Sequence, residues 1–306
     1  MNIRTGFFDT SNIYERNIKS LLNSDLVIRF LSSMSETVLT PTTRINRNIV
    51  IKEEQQTPSG TFKFRGASLL LSMLQHSSNA MGLVASSTGN HGFSLAMICK
   101  DLGLRLTVFV PIGTLEEKIT RIRSLGSDVI TAGGDLTETI SIAKDFSIEN
   151  NKYFISSTDE LLAIGHSTLI TEFSRQVAGT NKLYFPIGVG SGVAGQIVGK
   201  ILNDLPIEII GVVHESHSAW AESLTRGAPE YVKVNESLAP GLKITKPNPE
   251  VFHFVRRYLS DFVVIGDKDL LKTAELLAIQ PLQDLTSLVS LSAALKARER
   301  CLAVRC

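Results

Sequence analysis

A lysine between two phenylalanines is the residue of this sequence whose chemistry is easiest to recognise. Lys63 lies in TPSGTFKFRGA, residues 57–67, where a Pro-Ser-Gly turn precedes it and Phe62 and Phe64 flank it. A lysine on a solvated surface has little need of aromatic neighbours, whereas desolvation lowers the pKa of a lysine and makes its amine a nucleophile and a base. The sequence therefore predicts a reactive amine, held in an apolar slot, at Lys63.

Two further segments have the composition of anion-binding loops. SSTGNHG, residues 86–92, follows the apolar run GLVAS and precedes a predicted helix that begins near Gly92. GVGSGVAG, residues 188–195, also separates a predicted strand from a predicted helix. The first amides of a helix lack internal acceptors and lie at its positive end, so they suit a carboxylate or a phosphate. Asn90 adds a side-chain donor to the first loop.

A reactive lysine, an amide loop and a phosphate-binding loop together indicate a cofactor that has both an aldehyde and a phosphate. Pyridoxal 5'-phosphate (PLP) has both, and Lys63 would form a Schiff base with its aldehyde. A second interpretation stays open, because Gly190, Gly192 and Gly195 also satisfy the dinucleotide pattern G-x-G-x-x-G, and Glu215 follows the next predicted strand, where an acid would bind a ribose. The alternative is therefore a dinucleotide-binding oxidoreductase, which leaves Lys63 unexplained.

The elements that would position these groups alternate between strand and helix. Apolar runs predict strands, and the stretches between them predict helices, among them the strands at 47–54, 81–87, 105–111 and 127–133 and the helices at 66–76, 92–103, 115–126 and 135–150. The alternation continues to the final run CLAVRC. It predicts an α/β fold of parallel sheets flanked by helices, in which the βα loops bring ligand-binding groups to the carboxyl ends of the strands.

The composition excludes several classes of function. The chain has 306 residues with 31 basic and 30 acidic side chains spread along it, so no basic stripe suggests a nucleic-acid partner. No apolar run approaches the ~20 residues of a membrane span, and the first residues lack the apolar region of a signal peptide. Three scattered cysteines, Cys99, Cys301 and Cys306, predict neither a disulfide framework nor a zinc site. We expect a reduced, cytoplasmic protein.

The segment HESH, residues 214–217, has the residue types of a metal site. Successive side chains of a strand point to opposite faces, so these residues would not converge on one ion. We therefore expect no metal site there.

The three ligand-binding segments, in this order and spacing, resemble those of the fold-type II PLP enzymes, and most of all the serine/threonine dehydratase and serine racemase family. The resemblance extends from about Thr40 to the end of the chain and includes LAPGLKITKPNPEVFHFVRRYLSDFVVIGDKDL and DLTSLVSLSAALKARE. It implies the two-domain fold of the tryptophan synthase β chain. Residues 1–76 and 155–306 would form the large PLP-binding domain, and 77–154 the small domain that binds the substrate carboxylate. We also expect a homodimer.

The resemblance also assigns roles to individual residues. Lys63 would hold the cofactor covalently, Phe62 would pack beside it, and Asn90 would bond the phenolic oxygen of its ring. The cofactor phosphate would lie on Gly188, Val189, Gly190, Ser191 and Gly192. The substrate carboxylate would accept hydrogen bonds from the backbone amides of Ser87, Thr88, Asn90 and His91.

Two positions bear on the type of reaction. Thr88 stands where racemases of the family carry serine and many dehydratases alanine, and it resembles the D-serine dehydratases. It would pass a proton at the second face of the substrate, or only brace the loop. Cys306 stands near the family position beside the pyridine nitrogen, where a neutral thiol favours β-elimination; the alternative is an ordinary buried strand residue.

The predicted function is PLP-dependent β-elimination from a hydroxyamino acid such as serine or threonine, which yields a 2-oxo acid and ammonia. Lys63 is the predicted base that removes the α-proton. Racemisation and β-replacement use the same lysine and loops, and a non-catalytic family member would keep the fold, so these alternatives stay open. The partner is a small amino acid, whose side chain the sequence does not identify.

Overall fold

The computed structural model describes residues 8–9, 11–75, 82–87, 89–179, 181–279, 284–297 and 300–305. The described strands are β1 Thr42–Arg44, β2 Ile49–Glu53, β3 Leu83–Ser86, β4 Leu106–Val110, β5 Asp128–Thr131, β6 Tyr153–Ile155, β7 Lys182–Pro186, β8 Glu208–His214, β9 Asp261–Ile265 and β10 Cys301–Arg305.

Twelve helices are described: α1 Ile13–Leu21, α2 Asp25–Glu36, α3 Lys63–Gln75, α4 Asn90–Leu102, α5 Glu116–Arg123, α6 Leu136–Glu149, α7 Glu160–Gln176, α8 Ser191–Leu202, α9 Ala219–Arg226, α10 Pro249–Tyr258, α11 Asp267–Leu276 and α12 Val289–Ala297. Short 3-10 turns occupy 54–56, 215–217, 240–242 and 286–288. In the described part of the chain, no helix is both long and apolar enough to cross a bilayer.

The strands form two separate sheets. One sheet has six strands in the order β1-β2-β10-β7-β8-β9, and the other has four in the order β5-β4-β3-β6. All pairs are parallel except β1 with β2. The predicted α/β architecture of parallel sheets is confirmed.

The central strands are buried on both faces, which explains their continuous apolar sequences. Every residue of β2, β3 and β4 is buried, as are four of the five residues of β7. Strands covered by helices on both sides lose the alternation of polar and apolar residues. The loops after β3 and β7 lead directly into α4 and α8, so the positive ends of both helices lie at the carboxyl edges of their sheets.

The crossing of α3 and α7 requires glycine on both helices. A Cβ atom on Gly66 would lie 2.6 Å from the carbonyl oxygen of Leu162, and one on Gly165 would lie 2.6 Å from the carbonyl oxygen of Arg65. Neither distance is possible for a real side chain, so the backbones approach closely only because both residues are glycine. This crossing fixes the position of the first turn of α3, which begins at Lys63.

Candidate active site

Two adjoining cavities meet at Lys63. One, of about 170 Å³, extends toward α5 and α6 and is lined among others by His91 and Arg121; we call it the α5-side cavity. The other, of about 290 Å³, extends toward the N-terminus of α8 and is lined by residues that include Gly188–Gly192; we call it the α8-side cavity. Lys63, Asn90 and Ser191 line both cavities. The structure therefore brings the lysine and the two predicted loops together.

Lys63 is half-buried, and the two cavities around it are lined by apolar side chains together with serine, asparagine and glycine residues. The predicted lowering of the Lys63 pKa stays a prediction. Phe62 packs edge-on against His166 and Phe185, each at 5.1 Å between ring centroids, and Phe64 packs against the hydrophobic core. The turn into α3 sends these consecutive side chains in different directions, because successive residues of a helix point about 100° apart. Phe62 still lines the α8-side cavity, as its predicted place beside a cofactor requires.

A buried ion network anchors the turn that carries Lys63. The Arg65 guanidinium donates to the Glu54 carboxylate at 2.7 and 2.8 Å and to the Glu172 carboxylate at 2.8 Å. Lys52 donates to Glu172 as well, and all four side chains are at most 1% exposed. Burial by itself would raise the pKa of Glu172, but Arg65 and Lys52 hold it below its ordinary value. Two cations and two carboxylates thus fix the backbone two residues beyond Lys63.

The N-terminus of α4 presents two backbone amides to the α5-side cavity. The Ser87 hydroxyl accepts from the amides of Gly89 and Gly92, at 3.2 and 2.9 Å, and so shapes the loop. Within the described residues, no acceptor is found for the backbone amides of Asn90 and His91. These amides lie at the positive end of a 13-residue helix, which suits the predicted carboxylate.

The Ser87 amide differs from its prediction. It donates to the carbonyl oxygen of Phe109 at 3.0 Å and so extends the pairing of β3 with β4. Ser87 therefore contributes to the site through its hydroxyl and not through its amide. Asn90 is exposed and lines both cavities, and its predicted bond to the cofactor ring stays a prediction. Thr88 and Cys306 lie outside the described residues, and their predicted roles stay predictions.

The N-terminus of α8 forms a second cradle of amides. Gly190 has a φ of 105°, and a Cβ atom there would lie 2.7 Å from Trp220. A Cβ atom on Gly192 would lie 2.8 Å from the Phe62 ring. Among the described residues, no acceptor is found for the amides of Val189, Gly190, Ser191 and Gly192. Glycine is required for this backbone path, and the path leaves four donors for an anion such as a phosphate.

Two buried histidines also line the α5-side cavity. Burial and the nearby Lys63 lower the pKa of His91 to about 3. Burial, together with His91, Lys63 and Arg65, lowers the pKa of His166 to about 3 as well, although its Nδ1 lies 3.4 Å from the carbonyl oxygen of Ser191. Both imidazoles are therefore neutral near pH 7. No local pattern in the sequence pointed to His166, because it lies in the middle of α7 and reaches the site through the α3–α7 crossing.

The residues that suggested a ribose-binding acid and a metal site, Glu215 and the segment 214–217, do not line the cavities at Lys63. Glu215 lines neither cavity at Lys63, and its carboxylate lies against Gly266, at the N-terminus of α11. The ribose-binding arrangement of a dinucleotide fold is therefore not formed. Residues 215–217 make a 3-10 turn, and in the ranges that the structure describes no three metal-binding side chains come together.

The residues present at the α8-side cavity fit PLP. Lys63 supplies the amine for the aldehyde, and the α8 amides supply donors for the phosphate. Asn90 and Phe62 line the space between them. Thr286 and Ser287 contribute hydroxyl groups to the opposite wall, a feature that the sequence did not single out.

Comparison with known proteins agrees with this geometry. Residues 35–302 match the PALP family, described as "Pyridoxal-phosphate dependent enzyme". The chain is 31% identical over 228 residues to the biosynthetic L-threonine dehydratase IlvA of Haemophilus influenzae, which covers 74% of this chain and 44% of that protein. It is 27% identical over 223 residues to the L-threonine ammonia-lyase of Thermotoga maritima, which covers 72% of this chain and 56% of that protein. The chain thus spans about half the length of these relatives.

Solved structures show the same fold. The processed form of threonine deaminase isoform 2 from Solanum lycopersicum superposes with a TM-score of 0.80 at 20% identity, over 92% of this chain and 89% of that chain. Maize serine racemase superposes with a TM-score of 0.78 at 19% identity, over 92% and 91% of the two chains. The predicted fold-type II architecture and its cofactor are confirmed. The family match spans most of the chain and includes every described element of the site, so this chain belongs to the family of pyridoxal-phosphate dependent enzymes.

Proposed function

We propose that the protein catalyses β-elimination from a hydroxyamino acid, releasing a 2-oxo acid and ammonia. The observation that supports this most strongly is the meeting of the Lys63 amine with two helix N-termini in adjoining cavities. One helix end suits the phosphate of the cofactor and the other the carboxylate of the substrate. A base, a cofactor site and a carboxylate site are the parts that this reaction needs.

The amides of Asn90 and His91 would grip the substrate carboxylate. Two hydrogen bonds from one helix end fix both the position of the carboxylate and the rotation of the α-carbon relative to the cofactor plane. A bond is cleaved fastest when it stands perpendicular to that plane, so this grip selects the bond that breaks. The cofactor, when bound, supplies a ring system that delocalises the electrons left at the α-carbon.

Lys63 would move the proton. Its neutral amine accepts the α-proton, and the resulting ammonium donates a proton to the departing β-hydroxyl, which leaves as water. One residue can thus serve as base and then as acid, and no proton is gained or lost overall. His91 and His166 line the same cavity but stay neutral, so they add no positive charge beside the amine.

The relatives favour elimination. The proteins from H. influenzae and T. maritima are named threonine dehydratase and threonine ammonia-lyase, and these names describe loss of water and loss of ammonia from a hydroxyamino acid. A small amino acid is therefore the substrate class that we propose. The activity is a proposal for this chain because it matches only about half the length of those proteins.

We further propose that the two sheets belong to two lobes, with 77–154 as the small lobe and 1–76 with 155–306 as the large one. The four-stranded sheet supports this division, because its strands run from Leu83 to Ile155. Closure of the small lobe would bring the α4 amides onto the substrate. The homodimer and the cytoplasmic location stay predictions, and sedimentation of the purified protein tests the first.

An assay of ammonia and 2-oxo acid tests the proposed function. The protein, loaded with PLP, is incubated with the L- and D-isomers of serine and threonine. We expect turnover of at least one of them, at least ~1000-fold loss in Lys63→Ala, and no loss in the control Lys100→Ala, which changes an exposed lysine on α4. Unchanged turnover in Lys63→Ala would refute the proposal. If only the L-isomers react, the predicted proton transfer by Thr88 at the second face of the substrate is refuted.

A further inference from the structure

The α5-side cavity is lined by more positive than negative side chains. Among the described residues, the cations Lys118, Arg121 and Lys243 line it besides Lys63, against one carboxylate, that of Asp284. Lys243 is partly neutralised, because its ammonium lies 2.7 Å from Glu236. The ion pairs found within the described residues involve neither Lys118 nor Arg121. Lys118 and Arg121 therefore have no ion-pair partner among the residues that the structure describes.

Arg121 is held in place by an aromatic ring. Its guanidinium carbon lies 3.6 Å from the centroid of the Phe93 ring, and Phe93 belongs to the first turn of α4. Stacking on a ring uses the flat face of a guanidinium and leaves the N–H groups at its edge for other partners. The edge of a guanidinium matches the two oxygens of a carboxylate or a phosphate. Arg121, an exposed residue held by this stack, thus lines the same cavity as Asn90 and His91.

Lys118 and Arg121 differ from the other cation of α5, Arg123, because they line the α5-side cavity, although Arg121 is also exposed to solvent. Lys118 and Arg121 are three residues apart, so they lie on one face of the helix, and both line the cavity. Arg123 lies away from the cavity and is 3.5 Å from Glu116 at the surface. The rest of the wall near α5 and α6 is apolar, with Ile122 and Ile140.

We propose that Arg121, assisted by Lys118 and Lys243, binds an anionic group on the side chain of the substrate. The inference rests on the proposed function and extends it to a substrate class: amino acids with a side-chain carboxylate or phosphate. The α4 amides already provide for the α-carboxylate, so the α5 cations provide for a second anion. Serine or threonine would leave these cations without a counter-charge, whereas a dianionic substrate would match them.

A substrate with a side-chain carboxylate and a substrate with a side-chain phosphate would give different products. From 3-hydroxyaspartate, loss of the α-proton and the β-hydroxyl as water, followed by hydrolysis, gives oxaloacetate and ammonia. From O-phosphoserine, the phosphate leaves with the electron pair of its carbon–oxygen bond, and hydrolysis gives pyruvate, ammonia and inorganic phosphate. The products therefore distinguish the two sources of the anion.

The test compares kcat/KM of the PLP-loaded protein for 3-hydroxyaspartate, O-phosphoserine, L-serine and L-threonine. We expect one of the two anionic substrates to be preferred in the wild type. Arg121→Met should lower the ratio of anionic to neutral kcat/KM by about 10- to 100-fold, mainly through KM, because a charge-assisted contact is lost. Arg123→Met, on the same helix, should leave the ratio unchanged. A wild-type preference for serine or threonine, or equal ratios in Arg121→Met and Arg123→Met, would overturn the proposal.

A binding measurement keeps this test separate from that of the proposed function. Succinate and butyrate, a dianion and a monoanion of similar length, are titrated calorimetrically into the same three proteins. If no amino acid is turned over, the elimination proposal fails, and succinate binding that weakens in Arg121→Met but not in Arg123→Met still supports the anion site. Succinate that binds no better than butyrate, or equally well to Arg121→Met, overturns it.

Discussion

The ion network beneath Lys63 predicts a large loss of stability in Arg65→Met. Methionine has a length similar to that of arginine and fills the same buried space, but it removes one of the two cations that balance Glu54 and Glu172. Lys52 then remains as the one described cation for two buried carboxylates. Removal of one partner from a buried ion pair typically costs about 3–5 kcal/mol, because the partner stays buried without compensation.

Protonation sets an upper limit to this loss of stability. One of the two carboxylates can take up a proton and remain buried as a neutral group. With an ordinary glutamate pKa of 4.5, protonation at pH 7 costs about 1.4 kcal/mol for each of ~2.5 pH units, or roughly 3.4 kcal/mol. We therefore expect a loss of about 3 kcal/mol at pH 7. In the variant the folded-state pKa of that carboxyl lies above its unfolded value, so the penalty shrinks as the pH falls toward 4.5, to about 1.4 kcal/mol at pH 5.5.

Urea unfolding at pH 7 and at pH 5.5 measures both numbers. The control is Arg175→Met, which changes an exposed arginine on the same helix as Glu172 and should alter stability by less than ~0.5 kcal/mol. If Arg65→Met is as stable as Arg175→Met, the network does not support the first turn of α3. A penalty that is equal at the two pH values would show that charge burial is not its cause.

Three further outcomes follow from the geometry of the site. His166 is neutral when folded, and its pKa of about 3 lies below its unfolded value, so it costs stability as the pH falls below 6.5. His166→Gln should therefore reduce the pH dependence of the free energy of unfolding between pH 6.5 and 5 by about 1 kcal/mol per pH unit, as measured by urea titration. Gly192→Ala places a methyl group 2.8 Å from the Phe62 ring and should weaken PLP binding about tenfold or more, as measured by equilibrium dialysis; unchanged affinity would argue against the α8 cradle. Gly66→Ala should lower the melting temperature by several degrees, because its Cβ meets the Leu162 carbonyl oxygen at 2.6 Å; an unchanged melting temperature would show that the α3–α7 crossing can relax.

Local sequence patterns predicted most of the strands, loops and helix ends that position the site. The buried parallel strands β3 and β7 have apolar runs that end in small residues, and such runs predict both the strand and the loop that follows. Helix ends were also predictable. Gly103 ends α4 in a left-handed conformation, and Asp135 accepts from the Glu138 amide at 2.9 Å; glycine after a helix and aspartate three residues before glutamate are common helix-capping residues.

The sequence did not predict what long-range packing decides. Glu172 and His166 lie more than 100 residues after Lys63, and they reach its helix because α3 and α7 cross at two glycines. The Arg121–Phe93 stack depends on how α5 packs against α4, and no local pattern encodes that. The contacts of the two phenylalanines beside Lys63 also depend on packing, because Phe62 lines the α8-side cavity while Phe64 packs against the hydrophobic core.

The decisive experiment identifies the lysine to which the cofactor is bound. The protein is loaded with PLP and reduced with borohydride, which makes the bond between lysine and cofactor permanent, and the modified residue is then found by digestion and mass spectrometry. We predict that the cofactor is attached to Lys63, in the peptide that contains the segment 57–67, and that Lys63→Ala carries none. Attachment to a different lysine, or a Lys63→Ala protein that is modified to the same extent as the wild type, would contradict the account.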